Sequence, residues 1–141
     1  MCGIAGSFGQ VPIVEDRVRA CLSLMKRRGP DAEGVWRDNV ADRHLVLLHT
    51  RLAIVDLSQN ADQPFSAVDI VLIFNGEIYN HVELRTELEA KGHAFRTRTD
   101  TEVVAEAYRA WGRDCVDRFE GMWAFVLFDR RSGAIMMSRD R

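Results

Sequence analysis

Apolar residues are spaced along this chain in two distinguishable rhythms. Gly3 to Phe8 reads as a short strand of small and apolar residues. Val14 to Arg28 reads as a helix, because Val14, Val18, Cys21, Leu22 and Met25 recur at spacings of three and four. "RRGPD" (27–31) ends it, since Gly29 and Pro30 both break helices. "HLVLLHTRLAIVD" (44–56) is dense in Leu, Val and Ile and predicts one or two strands. "DIVLIFNGEIYN" (69–80) predicts a further strand that runs into a loop at Asn75–Gly76. Asn80 is placed to cap a helix through Lys91, with Val82, Leu84, Leu88 and Ala90 partly periodic and Gly92 as the stop. "TDTE" (99–102) has the spacing of a capping box, Thr99 with Glu102, opening a helix to about Trp111. "MWAFVLFD" and "AIMMSRD" predict a hairpin whose loop contains Gly133.

Strands cluster and helices cluster in this order, which favours an α+β layered fold over a repeating βαβ sheet. The strand runs are apolar at nearly every position, as in strands buried on both faces. Two sheets packed together and covered by helices satisfy that. At 141 residues the chain is expected to form one domain, 1–141, with a core that needs no staples.

Composition narrows the function classes. Net charge is −2 and the basic residues are scattered, which argues against nucleic acid as a partner. No apolar run approaches a membrane span and the N-terminus lacks a signal-peptide pattern, so the expected compartment is cytoplasmic, without membrane contact. Cys2, Cys21 and Cys115 are odd in number and lack CxxC spacing, which disfavours a disulfide framework. The four histidines show no metal-ligand spacing, so no metal site is expected.

Cys2 carries the most chemistry. On position alone it is a small hydrophobe starting a strand. With Met1 removed, however, it becomes an N-terminal residue holding a thiol and a free α-amine. An α-amine titrates at about 7.7–8.0, so a useful share is neutral near pH 7. One residue then contains both nucleophile and base.

"MCGIAG", "RRGPD", "HTRLAIVDLS", "QP", "FNGEIYNHVELR", "TDTEV", "GMWAFVLFD" and "SRDR" follow one another over nearly the whole chain. In order and spacing they resemble the class II glutamine amidotransferases, most closely the glutaminase domain of glutamine-using asparagine synthetases. That resemblance implies the four-layer α-β-β-α sandwich of the N-terminal-nucleophile hydrolases. It implies hydrolysis of glutamine through a γ-glutamyl thioester on Cys2. Asn75 and the Gly76 backbone N–H then resemble the oxyanion donors, an amide and a backbone dipole aimed at developing charge. Arg51 resembles the grip on the substrate α-carboxylate, which a guanidinium holds with two prongs. Asp100 resembles the acceptor of the α-ammonium, although an Asp in a first helical turn is also favoured by the helix dipole. Glu77 and the backbone at Ile54 and Val55 resemble further pocket wall. His49 and Cys21 read as structural, Met136 and Met137 as hairpin packing, and Glu87 and Glu89 as a solvated helix face.

The chain also departs from the family pattern. Position 27 is Arg where "HRGPD" is common, and the family continues past "SRDR" with "xGxxPLYY" and another strand pair. The resemblance therefore implies a domain short of its last strands, which either self-associates through an uncovered edge or occurs joined to a longer C-terminal part, and which alone is a slow glutaminase. Neither an "SGGxDS" loop nor GxxxxGKS is present. ATP and Mg are thus expected only in a synthetase domain or subunit that uses the ammonia. The alternatives are a non-catalytic fragment of such a domain, an amidotransferase serving another ammonia acceptor, and a glutamine-sensing module.

Overall fold

A computed structural model of the chain describes residues 2–53 and 62–141. Its elements run β1 (Gly3–Gly9), α1 (Glu15–Met25), β2 (Ala32–Val40), β3 (Arg43–Arg51), β4 (Phe65–Ala67), β5 (Ile70–Ile78), α2 (His81–Ala90), α3 (Asp100–Trp111), a 3₁₀ segment (Gly112–Arg118), β6 (Gly121–Asp129) and β7 (Ala134–Arg139). Two antiparallel sheets form, ordered β1-β3-β2 and β4-β5-β6-β7. None of the helices among the described residues is long and apolar enough to cross a membrane.

Side-chain alternation along the two central strands generates the layers. On β3, Val46 and Leu48 pack with Val18 and Leu22 of α1. Leu45 and Leu47 point the other way, onto Val71, Ile73 and Phe128 of the second sheet. On β5, Ile70, Leu72, Phe74 and Ile78 pack with Leu84 and Leu88 of α2 and Val103, Val104 and Ala107 of α3. The order is α1, first sheet, second sheet, α2/α3: the four layers that the resemblance implies. Trp36 and Phe128 bridge the sheets with ring centroids 5.6 Å apart.

Several sequence expectations need correction. β2 was not anticipated. Its "AEGVWRDNV" alternates between half-buried and exposed positions, the signature of an edge strand with few large apolar residues. Asn75–Gly76 is not a loop but lies inside β5, paired with Ala124 and Trp123 of β6. A Cβ at position 76 would overlap the Met122 carbonyl, so the glycine serves close strand approach rather than a turn. Asn80 precedes α2 without capping it. Its amide instead donates to the Arg118 carbonyl and accepts from the Glu120 N–H, tying α2 to the segment before β6. The capping box at α3 is half formed. Thr99 accepts from the Glu102 N–H at 3.3 Å, but the Glu102 carboxylate binds the Arg96 and Thr97 amides and the Thr97 hydroxyl. In the β6–β7 hairpin Met136 packs on the core, while Met137 is exposed.

Candidate active site

A cavity of about 610 Å³ lies where the ends of β3 and β5 meet the start of α3. The same alternation that buries Leu45 and Leu47 directs His49 and Arg51 of β3 toward the second sheet. On β5 it directs Asn75 and Glu77 toward the first. Cys2, Arg51, Asn75, Gly76, Glu77 and Asp100 all line this cavity, so residues far apart in sequence meet at one opening. Ile54 and Val55, also expected in the pocket, lie outside the described residues.

Cys2 is held by two segments. β1 pairs with β3 from Gly3↔Thr50 onward, which brings Cys2 alongside the end of β3. The Leu52 N–H donates to the Cys2 Sγ at 3.4 Å. The Arg28 Nε donates to the Cys2 carbonyl at 3.0 Å. Arg28 belongs to "RRGPD", which also docks on the end of β3. Asp31 donates its N–H to the Arg51 carbonyl, and its carboxylate accepts from the Ala53 N–H. Gly29 lies so close to the Thr50 carbonyl that no Cβ would fit. The motif thus clamps the strand ends that bear Cys2 and Arg51.

Arg51 is mostly buried, not the solvent-exposed strand-edge arginine that its position alone would allow. Its Nη1 donates to the Asp62 Oδ1 at 2.6 Å. His49, 1% exposed, lies two residues away. Burial pushes its imidazole down to about 4, aided by the Arg51 charge and opposed by a hydrogen bond to the Phe74 backbone. His49 is thus neutral near pH 7 beside the Arg51–Asp62 pair. The His49 Nε2 is buried without a hydrogen-bond partner.

Asn75 and Gly76 sit side by side on β5 at the cavity wall. The Asn75 Oδ1 is buried with no hydrogen-bond partner. A buried acceptor left unpaired costs about 1–3 kcal/mol, a cost that native proteins rarely carry without a compensating use. Glu77 is exposed and faces the opening.

Asp100 begins α3, where its Oδ2 accepts from the Ile78 N–H at 3.1 Å. Burial holds this carboxyl above the ordinary carboxylate range. The Ile78 amide, the Thr101 backbone and the His81 charge pull it the other way. A cation entering the cavity would be drawn to a carboxylate whose charge is poorly solvated. The cavity is thus lined by a guanidinium paired with Asp62, a buried carboxyl, a thiol and a polar amide. Arg28, Asp31, Asp62 and Gln63 were not singled out from sequence. Arg28 and Asp31 were visible only as members of a motif, and Gln63 as half of "QP".

Comparison with known proteins bears on the family of the whole chain. A family model described as a glutamine amidotransferase domain matches residues 1–141. The chain is 37% identical to asparagine synthetase [glutamine-hydrolyzing] 1 of Bacillus subtilis, over 99% of this chain and 22% of that one. It is 41% identical to asparagine synthetase [glutamine-hydrolyzing] 1 of Arabidopsis thaliana, over 99% of this chain and 24% of that one. It therefore spans about a quarter of the length of these relatives. Among solved structures, glutamine phosphoribosylpyrophosphate amidotransferase from B. subtilis superposes with a TM-score of 0.55 at 21% identity. That match covers 67% of this chain and 23% of the other, and it carries the fold. With the family model spanning every residue and relatives matching nearly the whole chain, this chain belongs to the glutamine amidotransferase domain family.

Proposed function

We propose that the chain hydrolyses glutamine to glutamate and ammonia. The observation that carries this reading is the convergence of Cys2, Arg51, Asn75, Gly76 and Asp100 on one cavity lined by the ends of β3 and β5 and the start of α3. Arg51 grips the substrate α-carboxylate and Asp100 accepts its α-ammonium, which extends the side-chain amide toward Cys2. With Met1 removed, the Cys2 α-amine takes the thiol proton, and sulfur attacks the amide carbon. The Asn75 side-chain amide and the Gly76 N–H stabilise the oxyanion. Ammonia leaves with the transferred proton, a γ-glutamyl thioester remains, and water hydrolyses it to glutamate and free thiol. The chain's own side chains, its Cys2 α-amine, the Gly76 N–H and water carry each step. The longer relatives are named asparagine synthetases, and on this reading the ammonia passes to a synthetase domain or subunit. On the family resemblance, that step runs in the cytoplasm, with ATP and Mg acting in the synthetase part.

The test is Cys2→Ala. Glutamate release should fall to background while glutamine still binds in a calorimeter, because the grips remain. Diazo-oxo-norleucine should label Cys2 and not Cys21 or Cys115. Labelling at either of the latter with Cys2 untouched refutes the assignment, as does an active sample whose intact mass retains Met1.

A further inference from the structure

"QP" is a motif of the resemblance with no part in the chemistry above, and its glutamine makes three contacts that converge on the site. The Gln63 Oε1 accepts from the Phe74 N–H at 2.6 Å. Its Nε2 donates to the Thr101 hydroxyl at 3.4 Å. Its main-chain carbonyl lies against Gly34 of β2, so close that no Cβ would fit there.

The strand register explains the first contact. β4 pairs with β5 from Ala67↔Ile70 to Phe65↔Leu72. Continued two residues back, the same register would set Gln63 opposite Phe74. The strand stops at Phe65 instead, and the main-chain carbonyl of Gln63 is against the other sheet. The Phe74 N–H would lose its ladder acceptor, and the Gln63 side chain supplies one. Its remaining amide nitrogen reaches α3.

Phe74 precedes Asn75, and Thr101 follows Asp100. Gln63 therefore touches the neighbour of one site residue on β5 and of another on α3. Its backbone rests on the sheet that bears Cys2 and Arg51. We propose that Gln63 is a positioning residue, fixing the spacing between the Asn75 wall, the Asp100 grip and the Cys2-bearing sheet. Its kinetic consequence rests on the glutaminase reading; its structural consequence rests on the contacts alone. Donors aimed at developing charge lose effect when displaced by fractions of an ångström.

Two variants of the full chain test this. Gln63→Leu removes both hydrogen bonds at similar volume. Gln63→Glu keeps an acceptor for the Phe74 N–H and can accept from the Thr101 hydroxyl. In Gln63→Leu, amide hydrogen exchange should quicken about tenfold at Phe74, the worth of one ordinary hydrogen bond, with Val71 to Ile73 unchanged. Glutamate release should show kcat down about tenfold or more, exceeding any change in KM. Gln63→Glu should restore both. Unchanged exchange at Phe74 overturns the proposal, and so does a kcat equal to wild type. Failure of Gln63→Glu to rescue also overturns it. If wild type releases no glutamate, the functional reading falls and exchange alone decides the positioning role. If Gln63→Leu does not fold, Thr101→Val removes only the α3 contact. It should quicken exchange at Asp100–Thr101 and raise KM, and no change in either overturns the proposal.

Discussion

Protonating His49 should destabilise the fold by an amount its burial sets. In the unfolded chain a histidine takes up its proton near 6.5; in the folded protein His49 resists until about 4. Between those values the unfolded state binds one more proton, so stability rises with pH across the window. Its contribution is complete above about 6.5 and is lost progressively as pH falls to about 4. At about 1.4 kcal/mol per pH unit, the interval amounts to about 3 kcal/mol. His49 is 1% exposed, so solvent screening takes little from that figure. Asp100 acts in the opposite sense. Its raised carboxyl holds a proton that the unfolded chain has already lost, so its contribution falls as pH rises through that range. Comparison with a non-titrating variant removes this and every other shared group. The assay is urea unfolding of wild type and His49→Gln at half-unit steps from pH 4 to 7.5. Wild-type unfolding free energy should drop across the range by about 3 kcal/mol more than that of His49→Gln. Parallel curves would refute the reasoning, even if the variant is less stable at every pH.

Three further outcomes follow from the site. Arg51→Lys should raise KM for glutamine about tenfold or more with kcat little changed, measured by initial rates, because a lysine cannot form the two-pronged pair. Asp100→Asn should raise KM and abolish the acid limb of the kcat/KM profile. That limb should lie above the ordinary carboxylate range in wild type, with activity lost as pH falls and Asp100 protonates. Gly76→Ala should cost about 1–3 kcal/mol in chemical denaturation and abolish glutamate release, since its Cβ collides with the Met122 carbonyl.

Sequence alone reached the layers because β3 and β5 are apolar on both faces, and only a strand between two partners can hide both. It reached the helices because their apolar spacing and the Thr99 cap are local signals. It missed β2, whose exposed face is polar apart from Val35 and whose inward face is spread over Ala32, Gly34 and Trp36. It misplaced Asn75–Gly76 as a loop. The dipeptide's turn preference is local, whereas the demand for glycine there comes from β6, more than forty residues on. The site side chains were legible as a pattern resembling a family. The contacts that hold them were not, because Arg28 to the Cys2 carbonyl and Gln63 to Phe74 are bonds to main chain, which leave no complementary residue type to read.

Cys2 occupies a stretch of chain that ordinarily frays, yet its carbonyl is gripped by Arg28, its sulfur accepts from Leu52, and the next residue enters a sheet. The freedom of that terminus is surrendered when the protein folds, before any glutamine arrives. A freely swinging thiol would meet the amide as a dilute solute and lose that freedom at every encounter. A tethered one presents an effective molarity, which for well-oriented groups reaches about 10⁵–10⁸ M. An entropic cost levied once per molecule then stands in for one levied once per turnover.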